Sequence, residues 1–227
     1  MPGTSGYYDA RKNPLIPGLS LRVRTKVYEL FSARFADAVK VLDAGVTSER
    51  ESIEANFFEK LFPHKDRITA AGTEDAAFLE KEYPGLVFKR IEPGAPLPFG
   101  DDAFDVAFCH AVIEHVVEPE ARRFFVSELI RVAKSVFLTT PSRFFPVETH
   151  TFIPLLHVLA PRLFYSLLDK KVLSKFYNSR NLRLLSRKDL EDLLGAFPGV
   201  SFKIEKVRLF GFTSNLVAII DKPQKYR

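Results

Sequence analysis

Residues 41–50 read VLDAGVTSER. Two apolar residues run into Asp43, a small residue and Gly45, and a polar, helix-prone stretch follows. The first strand and turn of a nucleotide-binding α/β domain begins in this way, with the turn at the carboxyl end of the strand where a ligand sits. Such turns commonly carry two or three glycines, and this one carries a single glycine. A plain strand-to-helix turn without a ligand has the same letters, so the surroundings decide.

Upstream, SLRVRTKVYELFSARFA (20–36) places Val27, Leu30, Phe31 and Phe35 on one helical face, and Val39–Leu42 reads as a short buried strand. Downstream, SERESIEANFFEKLFP has Ser48 followed by Glu51, a capping-box pattern, with Ile53, Phe57 and Leu61 at helical spacing and Pro63 as the stop. The spacing therefore predicts a helix over 48–62. RITAAG (67–72), LVFKRI (86–91), DVAFC (105–109) and SVFLTT (135–140) read as further strands, separated by helices near 76–82 and over PEARRFFVSELIRVAK (119–134). Strands and helices alternating at this spacing form βαβ units, which build a mostly parallel, doubly wound sheet.

The last third changes character. Residues 144–178 are rich in Phe, Leu and Pro without a strand pattern and read as a helical insertion or lid. SRKDLEDLLG (186–195) is a helix capped by Ser186 and ended by Gly195. FKIEKVRLF and NLVAIID, parted by GFTS, predict a terminal antiparallel pair.

Bulk composition sets limits. The chain has 227 residues, 46% hydrophobic and 27% charged, which suits one α/β domain with a small cap. Cys109 is the only cysteine, so no internal disulfide can form. The opening MPGTSGYYDARKNP has no apolar run of signal-peptide length, and no segment reaches spanning length, so a cytoplasmic location is expected. A net charge of +5 favours acidic partners without naming one. Phe occurs 22 times and Trp not at all, and core packing explains most of these rings.

Four segments together resemble the class I S-adenosylmethionine (SAM) dependent methyltransferases, particularly the bacterial small-molecule group. VLDAG is similar to the family's first motif. LPFGDDAFDVAFCHAVIEHV (97–116) closely resembles its LPF-x-D-x-x-FD block with the following apolar-Glu-His pair. ELIRVAK followed by VFLTTPSR resembles the fourth helix and fifth strand, and the last helix and two strands match the usual ending. The resemblance covers roughly residues 38–221. FFPVETHTFIPLLHVLAP (144–161) is similar to a segment of a bacterial subgroup whose acceptors are mostly unassigned.

The resemblance implies a Rossmann-like, mostly parallel sheet with a terminal antiparallel strand and a helical insertion after strand five. It implies one domain over 1–227, divided into an N-terminal helical segment (1–37), a cofactor core (38–143), the insertion (144–185) and a closing helix and strand pair (186–227). SAM is the implied cofactor and S-adenosylhomocysteine the product. Asp43, Gly45, Val46, Thr47 and Ser48 would meet the methionine end, with backbone donors at Val46 and Thr47 and a helix N-terminus at Ser48. Glu74 in RITAAGTED would accept both ribose hydroxyls; it stands 31 positions after Asp43, and it can instead be a first-turn helix carboxylate. Leu97 and Phe99 would border the adenine. Pro93 stands where family members often carry an acidic residue, with Glu92 beside it. Cys109 and His110 close the fourth strand next to cofactor and acceptor.

Transfer from a sulfonium needs an aligned acceptor and often removal of its proton. His110, with an unperturbed pKa, would serve as base, whereas His115 reads as structural. Glu148 and His150 form either a base with its orienting carboxylate or a tie for the lid. His110, His115, His150, His157 and Glu148 match no compact metal signature, so no metal is expected. Arg162, Lys170, Lys171, Lys175, Arg180, Arg183 and Arg187 lie among the Phe and Leu residues of the insertion. They are either a solvated face or a surface for a phosphate-bearing or lipid-like acceptor, and no RNA-binding signature is present. The expected activity is O-methylation of a small-molecule or lipid-linked acceptor; a catalytically silent scaffold of the same fold is the alternative. Peripheral membrane contact and oligomeric state stay open.

Overall fold

The computed structural model describes residues 15–223, with side chains from residue 18. The opening MPGTSGYYDARKNP, read above for a leader, lies outside the described residues. Seven strands form one sheet in the order β3-β2-β1-β4-β5-β7-β6. These are β1 (Val41–Ala44), β2 (Ile68–Gly72), β3 (Val87–Arg90), β4 (Phe104–His110), β5 (Ala133–Pro141), β6 (Ser201–Leu209) and β7 (Phe212–Asp221). The first five pair in parallel. β7 runs antiparallel to both β5 and β6 and lies between them. The chain moves outward from β1 to β2 and β3, then returns to place β4 on the other side of β1. That reversal leaves a crevice beyond Ala44 and His110, where ligands bind in doubly wound sheets.

One face of the sheet is covered by α1 (Leu15–Phe35), α2 (Phe57–Leu61) and α3 (Phe78–Glu82). Phe31 of α1 is fully buried there, edge-on to Phe58, Phe62, Phe108 and Phe137 at centroid distances of 5.0, 6.1, 5.4 and 5.5 Å. Such pairs each add about 0.5–1.5 kcal/mol beyond the area they bury. Many of the phenylalanines are thus spent on this one cluster. The other face packs α4 (Pro119–Val132) and α7 (Arg187–Leu194) through Val126, Leu129, Leu190 and Leu194. Ser186 and Asp189 cap α7 reciprocally, as the sequence predicts.

The helix predicted over 48–62 is mostly absent; only Phe57–Leu61 is helical. Short polar side chains take the backbone bonds instead. Glu49 accepts from the Glu51 and Ser52 N–H groups, and Ser48 Oγ donates to Glu74 instead of accepting from the N–H three residues on. Asn56, in left-handed conformation at φ 47°, turns the chain into α2.

The segment after β5 carries two short helices, α5 (Leu156–Leu159) and α6 (Pro161–Asp169), over a small core of Phe164, Leu168, Leu182 and Leu184. A bridge from Ser142 to Leu185 returns it to the sheet. Among the described residues, no helix is long and apolar enough to cross a membrane.

Candidate active site

The loop leaving β1 holds itself tightly. Gly45 and Val46 N–H both donate to the Ala71 carbonyl, Thr47 N–H to Asn56 Oδ1, and Ser48 N–H to Glu74 Oε2. The open donors expected at Val46 and Thr47 are therefore engaged, and no helix starts at Ser48. Gly45 adopts φ +136°, and a Cβ there would lie 2.4 Å from Val112 Cγ2. The glycine serves a left-handed turn and the close approach of Val112.

Beneath the loop lies a feature that the sequence did not announce. Glu59 of α2 is fully buried, and neither of its carboxylate oxygens accepts a hydrogen bond. Its neighbour is Asp43, 6% exposed at the end of β1. Burial raises Asp43 well above the ordinary carboxylate range, and the Glu59 charge adds to the rise. Burial raises Glu59 as well. Two carboxyl groups in one dry site retain a proton, or they receive a cation.

Glu74 stands where the strand order implies, just past β2, half-buried. Its Oε2 accepts from both the backbone and the hydroxyl of Ser48, while Oε1 has no partner among the described residues. Leu97 and Phe99 pack into the core facing α4, so their side chains are taken up by protein. The Leu97 backbone is pinned by Glu128 at 2.8 Å and Arg131 at 2.9 Å. Glu92 contributes a turn carbonyl to Ala95 N–H.

Cys109 is fully buried in the same core, and burial pushes its thiol up. His110 sits in the crevice, its Nδ1 2.6 Å from Thr139 Oγ1 and its ring 4.9 Å from Phe57. The expectation of an unperturbed imidazole is corrected here. Burial, reinforced by the Arg24 charge, lowers its pKa well below the ordinary value. His110 is a neutral imidazole at pH 7 and a weak base.

A second cluster forms where the short 3-10 turn Ile113–His115 meets the segment after β5. Glu148 accepts from the backbone N–H of His150 and Thr151, from Thr151 Oγ1, and from His150 Nδ1 at 2.7 Å. Burial alone would raise this carboxyl, yet the interaction with His150 and these bonds hold it at about 2. The predicted Glu148–His150 pair thus forms, and by the same bonds it orders its own loop. His115 packs its ring against His150 at 5.2 Å.

Residues 72–136 match a family model described as a methyltransferase domain. Among solved structures, a SAM-dependent methyltransferase from Methanosarcina mazei is similar at TM-score 0.52 and 20% identity, covering 82% of this chain and 92% of its own. A Burkholderia thailandensis 1,6-didemethyltoxoflavin-N1-methyltransferase with bound S-adenosylhomocysteine reaches TM-score 0.60 at 15% identity, covering 96% and 84%. A Synechocystis magnesium protoporphyrin IX methyltransferase, also with bound S-adenosylhomocysteine, reaches 0.53 at 12%, covering 90% and 83%. No curated protein sequence matches the chain. The partial family match and these structures agree on the fold: a Rossmann-like sheet of the kind found in SAM-dependent methyltransferases.

The chain also has a groove of about 600 Å³ outside the crevice, lined by Arg143, Arg162, Tyr165, Lys170, Arg183 and Leu184 among others. Its four cationic side chains form no ion pair among the described residues. Arg162, Lys170 and Arg183 were among the basic residues singled out in the insertion; Arg143, which joins them from the end of β5, was not. Glu59, Glu114 and Asn56 also escaped sequence reading. Asn56 had a local signal, since asparagine tolerates left-handed backbone. Glu59 had none, because EK within a helical pattern reads as surface.

Proposed function

We propose that this methyltransferase moves a methyl group from SAM to an oxygen of a small-molecule or lipid-linked acceptor bearing an anionic group, and that it works in the cytoplasm. The observation that carries the reading is the buried pair of facing carboxyl groups, Asp43 and Glu59, each raised by burial. A dry pair of carboxyl groups at the switch point suits a cationic ligand, and SAM brings an ammonium and a sulfonium. Glu74, with Oε1 open beside Ser48, suits a ribose diol. SAM supplies an electrophilic methyl group when bound. The chain's own part is placement: Asp43 and Glu59 would hold the amine, Glu74 the ribose, and neutral His110 with Thr139 would shape the crevice floor.

The acceptor would lie along the basic groove, its anionic group among Arg143, Arg162 and Arg183. Leu159, Leu163 and Val172 are exposed on the insertion at 76%, 51% and 65%, which suits an apolar tail or a membrane surface nearby. Its hydroxyl proton would be taken up at the Glu148–His150 cluster, where the carboxylate fixes the ring through Nδ1.

Calorimetric titration with SAM and with S-adenosylhomocysteine tests the reading. Saturable binding that weakens about tenfold or more in Glu74→Ala is the expected result. A second reading, a catalytically silent scaffold, draws on the loop whose Gly45, Val46, Thr47 and Ser48 N–H groups are bonded within the protein. Absence of saturable binding for either compound would select it.

A further inference from the structure

The fold brings a third side chain, 35 positions further along the sequence, to two that are adjacent. Glu114, His115 and His150 each present a ligand-type atom, and these atoms all lie within 4.8 Å of one another. Glu114 is fully buried and His150 is 8% exposed. We propose that Glu114, His115 and His150 form a binding site for a divalent transition-metal ion, set between the crevice and the basic groove.

The hydrogen bonds around the three favour metal ligation. His115 Nδ1 lies 2.9 Å from the Asn181 carbonyl oxygen, which can only accept, so Nδ1 carries the proton and Nε2 its lone pair. His150 Nδ1 lies 2.7 Å from Glu148 Oε1, which fixes the same tautomer. Metal-bound histidines are held in this way, one ring nitrogen on the metal and the other donating to a carbonyl or carboxylate. Glu114 is oriented too: Oε2 accepts from Thr140 Oγ1 at 3.0 Å. Its other oxygen, Oε1, is buried without a hydrogen-bond partner. A carboxylate oxygen in that condition costs about 1–3 kcal/mol or more unless something positive meets it. No cationic side chain forms an ion pair with Glu114 among the described residues.

Two imidazoles and one carboxylate select the class of ion. Nitrogen-rich sites suit Zn²⁺, Co²⁺, Fe²⁺ and Ni²⁺, whereas Mg²⁺ and Ca²⁺ prefer all-oxygen sites. Three protein ligands leave a position open for an exogenous oxygen. The backbone connects the site to the groove, since Arg183 N–H donates to the Glu114 carbonyl at 2.7 Å and Arg183 and Leu184 line the groove wall. An acceptor lying in that groove can place an oxygen on the ion, and with the ion bound the acceptor's oxygen meets the metal and not His150 Nε2, which serves as base only in the metal-free chain. That use rests on the acceptor reading above, whereas metal binding itself does not.

The test uses the full chain, freed of metal by chelator and titrated with Co²⁺ in the absence of SAM. Stoichiometric uptake with visible ligand-field absorption is expected, displaced by Zn²⁺ and not by Mg²⁺. His150→Ala, His115→Ala and Glu114→Gln should abolish the band, while Glu148→Gln should weaken binding by about 10–100-fold. His64→Ala, remote from the cluster, should leave it unchanged. Should the ligand variants fail to fold, wild-type protein suffices: Zn²⁺ should shift the imidazole signals of two histidines, those of His115 and His150. A silent Co²⁺ titration, preference for Mg²⁺, an unaltered band in a folded His150→Ala, or shifts confined to other histidines would overturn the proposal. None of these outcomes depends on whether SAM binds.

Discussion

Replacing Glu59 by Gln should alter stability and ligand binding in opposite directions. The amide removes one of two buried carboxyls and supplies a donor to Asp43, so unliganded protein should gain about 1–3 kcal/mol in urea unfolding. The gain should depend on pH. In the wild type, both folded-state values lie above the ordinary carboxylate range, so the folded state binds protons that the unfolded chain releases. Their contribution is fully present below the unfolded values and is lost as pH rises through the folded ones. The advantage of Glu59→Gln should therefore widen as pH rises above the ordinary carboxylate range, and a flat difference would count against the shared-proton pair. SAM affinity should fall in the same variant. His110 acts with the opposite sign: its lowered value means that folding releases a proton from this ring below about pH 6.5. His110→Asn should accordingly flatten the acid limb of the stability profile, read as melting temperature against pH.

At the level of single elements, α1 and the loop into α2 carry the strongest expectations. Phe31→Ala empties the centre of the aromatic cluster and should cost about 3–5 kcal/mol of unfolding free energy. Asn56→Ala should cost about 1–3 kcal/mol, because it strains a left-handed position and strands the Thr47 N–H. Asn56→Gly should recover the backbone part alone. These elements also divide what the sequence could reveal. The strands were legible because β-branched and apolar runs between turn residues leave few other solutions. α7 was legible because Ser186 and Asp189 cap it by local chemistry. The 48–62 stretch misled because Ser48 and Glu51 have capping letters, while their true partners, Glu74 and Glu49, depend on tertiary approach or loop geometry. Asp43 and Gly45 were expected at the crevice from strand order together with the resemblance, and Glu74 from the resemblance. The gathering of Glu114, His115 and His150 was not legible, since the parts of the site are separated by a helix and a strand that fold back between them.

Across the molecule, the crevice and the groove divide charge between them: buried carboxyls on one side, a predominance of basic side chains on the other. Inorganic phosphate titrated against amide chemical shifts should perturb Arg183 and its neighbours, and the response should fade in an Arg143→Ala/Arg183→Ala double variant. Raising salt from about 0.05 to about 0.5 M should weaken that response, because screening shortens the reach of partly exposed charges. The position of β7 has a consequence for how the sheet is made. Phe212–Asp221 is the last strand in chain order, yet it fills the gap between β5 and β6. Until that strand emerges from the ribosome, β5 and β6 each wait with an unpaired edge, and β6 has nothing to join. Everything through β5 can assemble during synthesis, but closure of the sheet is a late event. A nascent chain whose β6 has left the ribosome while Phe212–Asp221 is still inside should be open to strand-pairing with its neighbours on a polysome.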